Sequence, residues 1–283
     1  MTTVMRTHAL RGLRLFNPLV LVRSLWRYRD LIAQFTRRDV EGRYRGSFLG
    51  LIWSLANPLF MLAIYTFVFG VVLKARWPQA RSDGLGEFAI IIFAGLTAFT
   101  FFSECVSKAP TLVVAVPNYV KKVVFPLEIL PVSAMGAGFF HMGISLIVLL
   151  GAELIFTGSI PWTIVLLPVV LLPAIFLSLG LMWFLSSLGV FIRDVNQAIG
   201  LIMQAMFFFT PIFYSIEAIP EPIRTVILFN PMAPVVENFR RVLLWGQMPS
   251  WRGLVMWIIV TGVIMVLGYA WFMQTKKAFA DVI

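Results

Sequence analysis

The stretch Thr163 to Phe191, TIVLLPVVLLPAIFLSLGLMWFLSSLGVF, decides the fold. It holds no charged side chain, and about 20 apolar residues of helix are enough to cross a hydrocarbon layer roughly 30 Å thick. Its length leaves room for tilt, and Pro168 and Pro173 are placed to kink it. Five other runs pass the same test within boundary error: Leu49 to Leu73, Phe88 to Val106, Ile129 to Phe156, Ala198 to Tyr214 and Leu254 to Phe272. The run from Ala198 is short and carries Pro211, so its outer end is the hardest boundary to place. The expectation is an all-α integral membrane protein with six transmembrane helices over residues 49–273, preceded by a 1–48 arm and followed by a 274–283 tail.

Composition agrees. Apolar residues make up 60% of the 283 and charged residues only 13%, and no soluble core could hide so much apolar surface. The net charge of +10 could suggest nucleic acid, but the basic residues are scattered between apolar runs and crowded toward the N-terminus, which membrane topology explains better. No nucleic-acid partner is expected. One cysteine, Cys105, excludes a disulfide framework and any cysteine-rich metal site. The first apolar run begins near Leu49 and is too long for a signal h-region, so the N-terminal arm is expected to be retained.

Cytoplasmic segments carry the excess of Lys and Arg. With the N-terminus inside, 16 of the 23 basic residues fall on cytoplasmic segments, leaving Lys74, Arg76, Arg81, Arg224, Arg240, Arg241 and Arg252 outside. Six passes return the tail to the cytoplasm, so both termini are expected there.

Three segments outside the spans are more than connectors. Leu25 to Phe35 puts Leu25, Tyr28, Leu31, Ile32 and Phe35 on one helical face, the pattern of an interfacial helix on the inner leaflet. In the 108–128 loop, Asn118 is a suitable N-cap and Pro126 a stop, predicting about two turns of helix between them. Between the fifth and sixth spans (215–252), Pro222 to Phe229 and Pro234 to Trp245 are apolar but too short to cross, so paired re-entrant or interfacial helices are expected, a folded surface loop being the alternative.

Catalytic chemistry is sparse. There is no GxxxxGK[ST] loop, so any ATP is handled by a partner. His8 and His141 have no carboxylate or cysteine at metal-ligand spacing, so no metal is expected and His141 is read as a hydrogen-bonded buried histidine. Glu104, Glu128 and Glu153 lie toward helix ends, which argues against an ion-coupled carrier and against a metal-dependent membrane phosphotransferase. Gly46 and Gly50 make one GxxxG spacing, weak by itself. Trp53, Trp77, Trp162, Trp251 and Trp271 sit near span ends, as an interfacial belt requires. Phe99, Phe101, Phe102, Phe207, Phe208 and Phe209 are candidates for lining a passage where rings stack on sugars.

Arg37 to Pro58, RRDVEGRYRGSFLGLIWSLANP, resembles the entry into the first span of ABC-2 type permeases that export O-antigen, capsular polysaccharide or teichoic acid. NYVKKVVFPLEILP from Asn118 to Pro131 resembles the family's first cytoplasmic loop with its coupling helix. Arg193-Asp194 is similar to the family's turn at the second cytoplasmic loop, Asn230-Pro231 with Phe239-Arg240-Arg241 resembles its periplasmic gate helices, and Phe279-Ala280-Asp281 its tail. The likeness runs from about Asn17 onward, and the first sixteen residues match nothing in that pattern.

This resemblance implies a permease homodimer with two copies of an ABC ATPase subunit in the bacterial inner membrane, moving a lipid-linked polysaccharide carried on polyprenyl pyrophosphate. ATP and Mg would sit on the partner, with no cofactor on this chain. It implies ATPase coupling through Asn118, Tyr119, Lys121, Lys122, Phe125, Arg193 and Asp194. Arg37, Arg38, Arg43 and Arg45 suit a pyrophosphate or a headgroup, since guanidinium matches phosphate oxygens, and each taken singly fits ordinary positive-inside anchoring to anionic lipid somewhat better. A permease for hydrophobic drugs and a membrane enzyme acting on polyprenyl-linked sugars are the rival readings.

Overall fold

A computed structural model describes residues 18–48, 50, 52–73, 77, 85–121 and 125–283. Expectations on His8, Arg6, Arg11, Arg14, Lys74, Arg76, Arg81 and Lys122 lie outside the described residues. Among the described residues there is no strand, and every regular element is helical. In chain order the α-helices are α1 Pro18–Arg27, α2 Arg29–Tyr44, α3 Ile52–Tyr65, α4 Leu85–Lys108, α5 Pro117–Lys121, α6 Ile129–Thr157, α7 Leu167–Phe191, α8 Val195–Phe209, α9 Glu221–Leu228, α10 Met232–Leu243, α11 Trp251–Thr275 and α12 Phe279–Val282.

Five of the described helical stretches are long and apolar enough to cross a membrane: Ile52–Val72, Gly86–Thr111, Ile129–Thr157, Trp162–Phe191 and Trp251–Val282. The run expected from Ala198 to Tyr214 forms only α8, whose 15 residues rise about 22 Å at 1.5 Å each. The chain nevertheless crosses the bundle there. Phe191, before α8, packs on Phe279 near the end of the last span, with ring centroids 6.0 Å apart, whereas Pro211 and Ile212, after it, share Arg240 with Ile91 near the opposite end of α4. The pass is therefore a short helix continued by non-helical backbone from Thr210. Pro211 has no N–H to extend the helix, so its sequence already contains the reason.

The centre of the bundle is α4: 83% of its most apolar stretch is buried, against 6% for Ile52–Val72. That first span is α-helical to Tyr65 and π-helical over Thr66–Val72, and it lies along the outside of the fold. The closest helix pair is α7 with α11. A Cβ added to Gly268 would lie 2.1 Å from the Gly180 carbonyl oxygen, so these two backbones touch at a point where only hydrogen fits.

Four sequence expectations are corrected here. The interfacial helix expected over Leu25 to Phe35 is two helices meeting at Tyr28, and the second runs on to Tyr44 because its inward stripe continues through Val40 and Arg43. Gly46 and Gly50 do not pair helices. Both have left-handed φ, 84° and 50°, in the turn between α2 and α3, with no atom near an added Cβ. Trp77 is not part of a belt: it is 5% exposed, beneath the Arg240 guanidinium at 4.5 Å. Arg240, expected as an outside cation, is itself fully buried.

Candidate functional site

A charged cluster forms where α2 crosses the ends of α4 and α6. Thr36, Asp39, Val40 and Arg43 recur at helical spacing, so one face of α2 presents them together. Thr36 Oγ1 donates to the Ser133 carbonyl of α6 at 3.1 Å and Val40 is buried, which fixes the height of the helix. Lys108, in the last turn of α4, then reaches Asp39 at 2.8 Å, and Arg43 reaches Glu104 of α4 at 2.5 Å.

His141, from the middle of α6, completes the group. Its Nδ1 is 2.8 Å from Glu104 Oε1 and 3.0 Å from Arg43 Nη1. The carboxylate beside this histidine comes from a different helix, 37 positions away, where no local spacing could show it. The Tyr44 ring packs edge-on to His141 at 5.9 Å, and burial pushes the Tyr44 phenol above its ordinary pKa.

Two clefts open on these residues. One, of about 490 Å³, is lined by Arg38, Asp39, Gly42, Arg43, Glu104, Lys108, Ala137 and His141. The other, of about 320 Å³, lies between the first span and α4 and α6; Arg43, Tyr44, Asn57, Thr100, Glu104, His141, Ser145 and Phe207 are among its walls. Ionised and hydroxyl groups thus line a space whose remaining wall is apolar and aromatic.

The other arginines singled out in the sequence are arranged differently. Arg37 is exposed and bonded to Glu41 at 2.7 Å one turn on, a hydrogen bond that raises its pKa. Arg38 lies 3.7 Å from Asp39 and stacks over the Phe35 ring at 4.1 Å. Arg45 is the exposed C-cap of α2. Only Arg43 joins the Glu104–His141 cluster.

The residues expected to couple to a partner fall at the same end of the bundle. Asn118 and Lys121 are exposed on α5, a helix of five residues, and Arg193 and Asp194 are exposed between α7 and α8. Tyr119 is half-buried, its ring 5.7 Å from Phe35 and 4.7 Å from Phe125, so one aromatic group joins α2 to this loop. Close by, Lys276 bonds to buried Glu128 at 2.6 Å, and Trp183 Nε1 donates to the Glu128 carbonyl at 3.0 Å.

Of the six phenylalanines, Phe101 and Phe102 are enclosed in the chain's own core, the Phe101 ring tilted against Phe139 with centroids 4.7 Å apart. Phe99 is buried and meets Phe207 at 5.6 Å. Phe208 and Phe209 face outward, 64% and 56% exposed.

At the opposite end Arg240 donates to three carbonyls: Nε to Ile91 at 3.0 Å, Nη1 to Pro211 at 2.7 Å and Nη2 to Ile212 at 2.6 Å. Gly95 leaves the space, since a Cβ there would meet Arg240 Nη2 at 2.6 Å. The signal was present in the sequence: Met232, Val236 and Arg240 repeat every four residues, which puts the arginine on the buried face of α10.

Apolar helices of membrane length and non-helical backbone satisfied internally define a multi-pass membrane protein. The chain belongs to the ABC-2 type transporter family, whose model matches residues 30–244. It is 28% identical to the O-antigen export system permease protein RfbA of Myxococcus xanthus over 92% of this chain and 98% of that one. It is 27% identical to the protein of the same name from Klebsiella pneumoniae, over 90% and 95%. Polysialic acid transport protein KpsM of Escherichia coli is 21% identical over 85% of this chain and 92% of its own length.

Proposed function

We propose that this chain is the permease subunit of an exporter that moves polysaccharide linked to polyprenyl pyrophosphate across the bacterial inner membrane, with O-antigen as its cargo. The observation that carries this reading is near-complete alignment with permeases named for O-antigen export, far above the match to the polysialic acid transporter. Two permeases work with two ATPase subunits, and ATP and Mg belong to the latter. An α3 that its own chain scarcely buries is consistent with a neighbour across a homodimer.

In this reading both termini are cytoplasmic and the partner docks on the face carrying Asn118, Tyr119, Lys121, Phe125, Arg193 and Asp194. Closure of the ATPase pair pushes α5, and the aromatic contact among Phe35, Tyr119 and Phe125 passes the motion to α2. Arg43, with Arg37, Arg38 and Arg45 along the same inner surface, attracts the pyrophosphate. Phe207, Phe208 and Phe209 supply ring faces along the route of the glycan.

The test is reconstitution of export in a strain whose own polysaccharide permease and ATPase are deleted. Expression of this chain with a cognate ABC ATPase from the same organism should restore surface polysaccharide, and expression of either alone should not. Restoration without the ATPase refutes the reading.

A further inference from the structure

The buried Nε2 of His141 has no hydrogen-bond partner among the described residues. Its other nitrogen faces Glu104, which only accepts, and Arg43, which only donates. Nε2 is a bare acceptor in the neutral ring that gives its Nδ1 proton to Glu104, and an unmatched N–H both in the neutral ring whose Nδ1 accepts from Arg43 and in the imidazolium. Buried polar atoms are normally paired, and this one belongs to a residue that lines both clefts.

Around it the cations are already taken by internal anions. Glu104 holds Arg43, and Asp39 holds Lys108 with Arg38 3.7 Å away. With Arg38, Asp39, Arg43, Glu104 and Lys108 ionised, the larger cleft keeps one uncancelled positive charge, and protonation of His141 adds another. The titratable groups in contact with the ring are Arg43 and Tyr44 from α2 and Glu104 from α4, and Arg38, Asp39 and Lys108 complete the charged lining of the larger cleft. A phosphate oxygen is the same kind of partner for a guanidinium as a carboxylate oxygen, with more charge behind it.

We propose that Glu104 is a placeholder anion in a phosphate-binding site. An entering phosphate displaces the Glu104 carboxylate from Arg43 and accepts the N–H that the His141 imidazolium offers at Nε2, while Glu104 keeps the bond to Nδ1. The group attached to the phosphate lies in the cleft beside the first span, against Asn57, Thr100 and Ser145. The identity of the ligand as a polyprenyl pyrophosphate rests on the proposed function; the exchange of anions rests on the geometry.

The test is equilibrium binding of radiolabelled farnesyl pyrophosphate to the full chain in nanodiscs of phosphatidylcholine, with inorganic pyrophosphate or added phosphatidylglycerol as competitors. Glu104→Gln should bind about tenfold tighter than wild type and His141→Ala about tenfold more weakly, the scale of one charge-assisted hydrogen bond. His141→Gln, which keeps an amide donor, should recover part of the loss. Each variant is accepted only if Cys105 stays unreactive, a sign that the core is intact. Competition by inorganic pyrophosphate supports the site, whereas competition by phosphatidylglycerol alone assigns it to ordinary headgroups and overturns the ligand. Unchanged or weaker binding by Glu104→Gln overturns the exchange. If that variant still exports glycan with its ATPase, the proposed function survives the failure of the site.

Discussion

Arg240 Nη1 donates to the carbonyl oxygen of Pro211 at 2.7 Å, joining residues 29 positions apart. The bond closes a gap that the sequence itself opens. Pro211 follows the end of α8, and carbonyls left by non-helical backbone inside an apolar bundle cost several kcal/mol each if unpaired. Arg240→Met should therefore destabilise the fold by about 3–5 kcal/mol, the usual cost of removing one side of a buried charged interaction. Arg240→Lys should not rescue it, because an ammonium cannot reach three carbonyls as a planar fork does. Cys105, 2% exposed, is the reporter: a thiol-reactive dye should label it at lower temperature in both variants.

A second prediction concerns the seam between α7 and α11. Gly268→Ala would place a methyl 2.1 Å from the Gly180 carbonyl oxygen, so the helices must separate. The expected loss is about 1–3 kcal/mol despite the higher helix propensity of alanine. Gly143→Ala, which meets no atom within 4 Å, is the matched control and should leave the Cys105 labelling temperature unchanged or slightly raised.

Glu128 and Lys276 make a third. The pair ties the start of α6 to the residue after α11 at 2.6 Å, with Glu128 almost enclosed. Either charge reversal alone should cost about 1–3 kcal/mol and speed carboxypeptidase trimming of the tail, while the double exchange Glu128→Lys with Lys276→Glu should restore most of the resistance. A double variant as fragile as the single ones would show that only the local charge matters, not the pair.

For coupling, Lys121→Glu should abolish the substrate-stimulated part of ATP hydrolysis by the reconstituted complex. Membrane insertion should be unaffected, because Lys121 is exposed. Full stimulation in this variant removes Lys121 from the coupling surface.

What the sequence revealed follows from the range over which each signal acts. Apolar runs and proline positions act locally, so the helices of the bundle and the short pair α9 and α10 could be read within a few residues. The extension of α2 beyond Phe35 was missed because its inward face turns from apolar to ionic, with half-buried Asp39 and exposed Arg43 paired to partners on α4 rather than packed against oil. Glu104 and His141 were each visible as polar residues in spans, but their meeting depends on how α4 and α6 pack. Trp77 and Arg240 mislead for one reason: each looks like an interfacial residue by type, and only the tertiary fold puts a cation on a ring in the interior.

The first span has a mechanical consequence. It is a rod that buries little of itself in its own fold, mounted on two glycines whose backbones bend the way other residues resist, and it holds to the core through the rings of Tyr65 and Phe69. Its neighbour α4, gripped on nearly every side, serves as the fixed jamb. The cleft of about 320 Å³ lies along the line where the two meet, so any movement of the rod changes its width.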